Sequence, residues 1–465
     1  MTENICLEST STSQAGPNQD WRYAAEGGAN LVMSYIGQDS RLQGKLLRLR
    51  KRKRCASQVG GSAIPSEVQV EFGERIITPL LGSDFVVEAR THEINGRWLS
   101  NMAMALEESG VRPAHRSRED EIDDQVGMVV LADDMLYGDD VLTVEIKASY
   151  IRSDMEEQGR TSGANATDFV SCLPRQPKWG FLPSPTHLSS ESKHIKQTYC
   201  RFCMHRYYKS EDRESEIKTH QGGYCPLDLY SRDRSRVERA VRALNPLRAS
   251  ESKGALAGNM RIFVGGRKLD TSLTPGIADE NRRAVDSFFE APEDGLDEVV
   301  TNFLMDSPVL EKLGSLQSFL DRLDIEGLAS RIEQVHGVSL FSTDVDLSPL
   351  GPQPTQDEWV EWLASSRGSS FSGCSNEADE LRSDILAYLL SATFKDCSIM
   401  MRLRRLPEGN PNEPRFERTF KAIDLDPKPI DRLGKYFQMD REIVGTWAAM
   451  LENAERPDQI RKCLV

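Results

Sequence analysis

Two aspartates sit in settings that suit phosphate chemistry. Asp396 lies in Thr393-Phe394-Lys395-Asp396-Cys397-Ser398, and Asp424 opens Asp424-Leu425-Asp426-Pro427-Lys428-Pro429. Phosphoryl transfer needs one acid to orient or deprotonate the acceptor hydroxyl, another to hold Mg2+, and cations around the transferring group. Taken alone, each aspartate could equally cap a helix or carry surface charge. The cations recur at helical intervals. Lys428, Arg432 and Tyr436 are four residues apart, so a helix would present them on one face. Pro429 suits a first helical turn, which predicts a last helix from near that residue. Arg201, His205 and Lys209 have the same spacing and form a second basic stripe.

Three further segments could meet phosphates. Glu26-Gly27-Gly28-Ala29-Asn30 joins two strand-like runs, and its glycines would let backbone N–H groups approach an anion. A plain hairpin turn explains it as well. Arg48, on the next strand, could reach the same anion or face solvent. Glu145 and Lys147 end a strand and point the same way, and Lys178 in Pro177-Lys178-Trp179 could join them. A solvated strand edge is the alternative. The cysteines say less. Cys200 and Cys203 have C-x-x-C spacing, with His205 and Cys225 following, but no second close pair accompanies them. On a helix such cysteines face the core, so no zinc is expected.

Elements must hold these residues together. Residues 21–54 read as three strands with a glycine turn between the first two, and Val126–Leu131 and Val141–Ile146 as two more, giving an antiparallel sheet early in the chain. Residues 298–335 have apolar spacings of three and four (Val299, Phe303, Leu310, Leu313, Leu316, Phe319, Leu320) and read as helix. A short helix is expected around Trp359 and Trp362, another over Leu381–Leu390, and a hairpin from Ile399–Leu406 and Thr419–Leu425 around Gly409-Asn410-Pro411. The fold class is thus α+β: a sheet-rich first part and a larger, mixed, helix-rich second part. Residues 1–20 read as a disordered lead-in, 21–185 as the first lobe and 186–465 as the second.

Bulk properties narrow the function. The 465 residues carry a net charge of −14, which argues against a general nucleic-acid binder. The basic run Arg48–Arg54 reads as a solvated loop or a nuclear-import signal. No run of eighteen apolar residues is present, and the N-terminus has neither the basic start nor the apolar stretch of a secretory leader. Nine scattered cysteines fit a reducing compartment with free thiols. The basic run makes the nucleus the expected location, with the cytoplasm as the alternative. A monomer is expected.

Taken together, the segments EGGANLV, LLRLRK, VEIK, PKWGFLP, CRFCMH, YCPLDLYS, NMRIF, SATFKDCSIM and AIDLDPKP resemble the inositol-pentakisphosphate 2-kinases in their fungal form. They run in the family's order from Trp21 to about Trp447. The resemblance implies a two-lobed, kinase-like fold with ATP between the lobes and inositol pentakisphosphate as acceptor. By that resemblance Gly27, Gly28, Ala29 and Asn30 cover the ATP phosphates, Arg48 contacts them, and Ala132, Asp133 and Asp134 form the link that holds adenine. Glu145 and Lys147 contact the nucleotide's ribose and phosphates, and Arg261 contacts nucleotide or substrate near the transfer point. Arg116, Lys178, Arg201, His205, Lys209, Asn259, Lys428, Arg432 and Tyr436 hold inositol phosphates, with Lys209 also near the chemistry. Asp396 is the base on the 2-hydroxyl, and Asp424 binds Mg2+.

The chain departs from the family pattern in three places. Gly258-Asn259 stands where the family has two asparagines, so one substrate-side amide is missing. The plant members' His/Cys zinc cluster has no counterpart, since Cys374 stands nearly alone. Residues 148–176 interrupt the family's continuous Glu-x-Lys-Pro-Lys, and deleting them restores EIKPKWGF. Such a segment fits a retained intron or a genuine surface insertion. If expressed it would displace Lys178, which gives the rival function: a catalytically impaired, inositol-phosphate-binding scaffold.

Overall fold

The structure, a computed structural model, describes residues 20–54, 64–146, 180–210, 223–248, 259–269, 277–289, 295–342, 345–367, 376–407 and 415–463. Lys147, Lys178, the 148–176 segment and the 409–411 turn lie outside them.

Strands β1 (Trp21–Glu26), β2 (Asn30–Tyr35) and β3 (Lys45–Lys53) form in sequence order, as the strand-like runs around the glycine turn predict. With β4 (Ala89–Glu93), β5 (Asp120–Ile122) and β6 (Met128–Asp133) they make a six-stranded antiparallel sheet ordered β1-β2-β3-β6-β4, with β5 added to β3. In β3 the two-residue period turns Leu47, Leu49 and Lys51 inward and leaves Arg48, Arg50 and Arg52 half-exposed. Leu31, Met33, Leu47, Leu49 and Leu131 pack against helix α1 (Gly96–Ser109) through Trp98, Leu99, Met102 and Leu106. Each fully buried aliphatic side chain there contributes roughly 1.5–3 kcal/mol. Asn95 caps α1 by accepting from the Arg97 N–H at 2.9 Å, and Gly110 ends it at φ 62°.

The basic run is neither loop nor free patch. Lys51 is buried between Glu26 at 3.0 Å and Asp120 at 3.1 Å, while Arg52 meets Glu121 at 2.7 Å and Arg54 meets Glu107 at 3.0 Å.

Strand β7 (Val141–Ile146) does not join the strands before it. It lies in a second antiparallel sheet ordered β11-β10-β7-β8-β9, built with β8 (Met260–Val264), β9 (Arg267–Lys268), β10 (Ser398–Arg405) and β11 (Phe416–Ile423). All six of its residues are buried, as a central strand covered on both faces requires. Helices α2 (Arg201–Lys209), α3 (Arg234–Leu244), α4 (Leu296–Asp306), α5 (Val309–Leu320), α6 (Asp324–His336), α7 (Glu377–Asp396) and α8 (Leu433–Asn453) supply most of the remaining ordered chain. The largest core joins β7, β8 and β10 to Phe303, Leu313, Leu328, Leu389 and Phe394.

Two helices set up the site. Helix α7 is longer than its apolar run suggests. Asn376 caps it by accepting from the Asp379 N–H at 2.9 Å, acids fill its first turn, and it runs to Asp396. Helix α8 starts later than expected: Pro429 precedes a 3-10 turn, Ile430–Arg432, and the α-helix begins at Leu433. Lys428 therefore approaches from a loop rather than from the helix face. Phe319, counted with the core spacing of α5, is 62% exposed. Among the described residues no helix is long and apolar enough to cross a membrane.

Candidate active site

The second sheet aligns the chemistry along one edge. Ile423 pairs with Ser398, Ile399 with Ile146, and Ile146 with Met260. This row sets Asp424, one residue past β11, beside Asp396, two residues before β10. It also brings Glu145 and Arg261, paired in register, to the same edge with Arg261 Nη1 3.5 Å from Glu145 Oε2. Asn259 precedes β8 there. Its buried side-chain amide has no hydrogen-bond partner among the described residues.

The two aspartates are held differently. Asp396 accepts from Lys428 Nζ at 2.6 Å. Burial alone would depress the Lys428 ammonium, but Asp396 outweighs it and holds the pKa above the ordinary lysine value. Tyr436 is next in this cluster. Burial raises its phenol, opposed by Lys428, with Asp396 and Arg432 also acting on it. Asp424 has a left-handed backbone, φ 61°, and its Oδ2 accepts from the Ser398 hydroxyl at 3.4 Å. No cationic side chain among the described residues pairs with it.

Helix α2 forms over Arg201–Lys209 with Arg201, His205 and Lys209 on one stripe, as the spacing predicts. The stripe is graded: Arg201 and His205 are buried, and Lys209 is exposed at the helix end. Burial, reinforced by Lys209 and Arg201, pushes His205 well below the ordinary histidine pKa, so it is a neutral hydrogen-bonding group rather than a third cation. Arg201 Nε lies 3.1 Å from Asp440 Oδ1, while Arg201 Nη1 and His205 Nε2 are buried without a partner among the described residues. Asp440 is on α8, one turn beyond Tyr436. Tyr436 and Tyr388 of α7 lie 6.3 Å apart, centroid to centroid, so the Arg201 cluster and the Asp396 cluster share one wall.

The first sheet contributes from the other side. Arg48 Nη2 is 3.6 Å from Asp426 Oδ1 in the loop after Asp424, and the Thr393 hydroxyl donates to the Asp426 carbonyl at 3.1 Å. The glycine turn is closed by the Gly27 N–H donating to the Asn30 carbonyl at 2.8 Å, and Gly28 and Ala29 are exposed. Arg116 acts electrostatically on Tyr23, whose hydroxyl donates to Glu26 at 3.3 Å, so it belongs to this turn's surroundings. Ala132 and Asp133 end β6. Asp133 pairs with Lys45, and the Asp134 N–H donates to the Gly44 carbonyl at 2.8 Å. The chain then crosses to β7, so residues 132–134 stand where one sheet gives way to the other.

Reasoning from sequence missed the groups that hold Arg201. Lys196 is buried among Asp324 at 2.6 Å, Asp440 at 2.6 Å and Glu326 at 3.1 Å. Asp440 was detectable, because it extends the spacing of Arg432 and Tyr436 by four more residues. Asp324 offers no local sign: its partner is 128 residues away.

Comparison with known proteins places the chain in a family. The family model described as inositol-pentakisphosphate 2-kinase covers residues 23–442. An inositol-pentakisphosphate 2-kinase of Cryptococcus neoformans is 28% identical over 436 residues, covering 92% of this chain and 93% of the relative. One of Arabidopsis thaliana is 26% identical, covering 95% and 96%. One of Danio rerio is 23% identical, covering 91% and 92%. With carboxylates, lysine and buried arginine assembled at the matched motifs, the chain belongs to the inositol-pentakisphosphate 2-kinase family.

Proposed function

We propose that this chain transfers the γ-phosphoryl group of ATP to the 2-hydroxyl of inositol 1,3,4,5,6-pentakisphosphate, giving inositol hexakisphosphate. One observation carries the site assignment: Asp396, paired with Lys428, and Asp424, without a cationic partner among the described residues, flank one hairpin, the first two residues before β10 and the second one residue after β11. The first sheet, which ends with β6 at Asp133, belongs to the nucleotide lobe, and the second sheet with its helices to the acceptor lobe; because β7 (Val141–Ile146) is a strand of the second sheet, the boundary falls after Asp133 rather than at the expected residue 185. ATP lies between them, with adenine at Ala132–Asp134 and phosphates under Gly27–Asn30 and Arg48.

In this reading Asp396 takes the proton from the 2-hydroxyl as the oxygen attacks, and the bond from γ-phosphorus to the bridging oxygen breaks. Lys428 orients that carboxylate and turns toward a phosphate of the acceptor when it binds. Arg201, His205, Lys209, Arg432 and Tyr436 hold the remaining phosphates, and Asn259 meets the nucleotide or acceptor beside Arg261. Each charge-assisted contact contributes roughly 1.5–3 kcal/mol, which explains how an acidic protein binds a polyanion. Asp424 suits Mg2+: it is a hard oxygen ligand with no competing cation among the described residues, next to Asp426. The ion would neutralise charge on the nucleotide phosphates.

A nuclear location remains our expectation from the family. It does not lean on residues 48–54, because Arg48, Lys51, Arg52, Lys53 and Arg54 all meet carboxylates of the fold.

Incubation with ATP, Mg2+ and the pentakisphosphate should yield the hexakisphosphate, with and without residues 148–176. Binding of the pentakisphosphate without turnover in either form would favour the scaffold reading. Asp396→Ala should lower kcat by about 10²–10⁴-fold with little change in KM for ATP. Turnover at the parent rate would remove Asp396 from the role of base.

A further inference from the structure

The last turn of α7 ends on Asp396, and it is held from behind. A helix leaves its last four carbonyls without partners inside the helix, so its final turn frays unless other groups meet it. Here Gln317 of α5 meets it. Its fully buried side chain donates from Nε2 to the Phe394 carbonyl at 3.1 Å, and its Oε1 accepts from the Gly180 N–H at 2.9 Å. The Gln317 carbonyl accepts from the Ser391 hydroxyl at 2.8 Å. The Cys397 thiol donates to the same Phe394 carbonyl at 3.2 Å. One amide thus ties α5, the chain at Gly180 and the end of α7 together. Glycine is needed at 180, since a Cβ there would lie 2.5 Å from the Tyr230 ring.

Lys395, the neighbour of Asp396, is anchored to the end of the same helix α5. Its ammonium pairs with Asp321, the residue that ends α5, and both side chains are almost inaccessible. The Lys395 Nζ also lies 5.4 Å from the centre of the Phe181 ring and 5.2 Å from that of Tyr388. Tyr388 faces Tyr436 at 6.3 Å, and Tyr436 stands in the Asp396 cluster. The pair has no net charge and the Gln317 amide is neutral, so neither brings a net charge to bear on the acidity of Asp396. What they supply is geometry. Their burial keeps all three side chains away from the acceptor and the nucleotide.

We infer that Gln317 and the Lys395–Asp321 pair are positioning residues for the transfer: they lock the last turn of α7 and thereby aim Asp396, without touching substrate. The inference rests on the reading of Asp396 as the base. A reacting group must be held within about 0.5 Å of its productive place by neighbours whose own positions are fixed. The Asp426 loop completes the lock from the front, where its carbonyl accepts from the Thr393 hydroxyl at 3.1 Å and Lys428 Nζ meets Asp396 at 2.6 Å. Thr393, Phe394, Lys395 and Asp396 are therefore each held by a residue outside α7.

The test is Gln317→Met in the full-length chain, which removes both side-chain hydrogen bonds and keeps the length. Its kcat with the pentakisphosphate should fall about 10–100-fold, with KM for ATP within about twofold of the parent. In an Asp396→Ala background the same change should cost less than about threefold, because no carboxylate remains to be aimed. Equal fold losses in the two backgrounds overturn the inference, since a merely structural role acts alike in both. Hydrogen exchange followed by mass spectrometry reads the lock without turnover: the amides of residues 393–396 should exchange about tenfold faster in Gln317→Met. Unchanged protection there overturns the lock. If Gln317→Met does not fold, Lys395→Met combined with Asp321→Asn carries both measurements with the same expected results, because it leaves no buried charge unpaired. A parent chain that forms no hexakisphosphate fails the kinase reading, and the exchange rates still decide the lock.

Discussion

Two buried charge networks lie on opposite sides of the proposed nucleotide site, and only one of them closes. In the first sheet Lys51 and Arg112 meet Glu26, Asp120 and Glu107 at 2.8–3.1 Å, and Lys53 meets the second oxygen of Asp120 at 2.8 Å. The side chains of Lys51, Arg112, Glu26 and Asp120 are all nearly inaccessible. In the second region Lys196 and Arg201 face Asp324, Glu326 and Asp440. There Arg201 Nη1, His205 Nε2 and Asp324 Oδ2 are buried without partners among the described residues. A closed network fixes a fold. An open one keeps hydrogen-bonding capacity for a ligand, at a cost in stability that the ligand relieves.

The largest expected effect comes from breaking the open network at its centre. Lys196→Met leaves two buried carboxylates, Asp324 and Asp440, and the half-buried Glu326 facing one arginine and should cost about 3–5 kcal/mol, read from urea unfolding. A loss under about 1 kcal/mol would mean that the carboxylates reach solvent or other cations. Arg201→Met should act on the ligand instead, lowering kcat/KM for the pentakisphosphate about 10–100-fold while unfolding shifts less than for Lys196→Met. Equal losses in stability and no loss in kcat/KM would make the Arg201 cluster as purely structural as the Lys51 one.

A pH series sharpens the comparison further. Burial pushes Asp324 up to about 6, whereas Glu326 falls to about 2: burial raises it, but Lys196 and the serine hydroxyls outweigh that. The signs oppose. The raised Asp324 favours folding in acid and loses that contribution as pH climbs through about 6. The lowered Glu326 favours folding near neutrality and loses it as pH falls toward about 2. Asp324→Asn should therefore gain stability relative to the parent as pH rises from 4 to 7, and parallel curves would remove Asp324 as the strained member. Asn suits the position's φ of 59°. The smallest effect is expected at the surface. Arg52→Ala, removing contacts to Glu121, Asp123 and Asp124, should cost less than about 1 kcal/mol by thermal melting, and more would mean that these pairs belong to the buried network.

What could be read from sequence was local. Strand-like runs around a glycine turn marked β1, β2 and β3, and four-residue spacing marked the α2 stripe, because both signals are short-range. Pairing between elements left weaker marks. β7 was grouped with its sequence neighbours, although its unbroken run Val141-Leu142-Thr143-Val144 suits a central strand of another sheet. Lys428 was placed on a helix by spacing, yet the 3-10 turn at Ile430–Arg432 puts it in a loop on Asp396. The Sγ atoms of Cys200, Cys203, Cys225 and Cys463 lie within 4.8 Å of one another, and they show the limit most clearly, since no periodicity links Cys203 to Cys463.

The backbone at Asp424 has a practical consequence for genetics. An L-residue there pays a penalty of roughly 1–2 kcal/mol for its handedness, which glycine avoids and asparagine reduces. A scan to alanine at this residue would mix lost acidity with conformational stress. Paired Asn and Gly replacements separate them: both accept the turn, and neither carries the charge. Few residue types can therefore occupy position 424 quietly, even in a version of the protein that has no need of a metal.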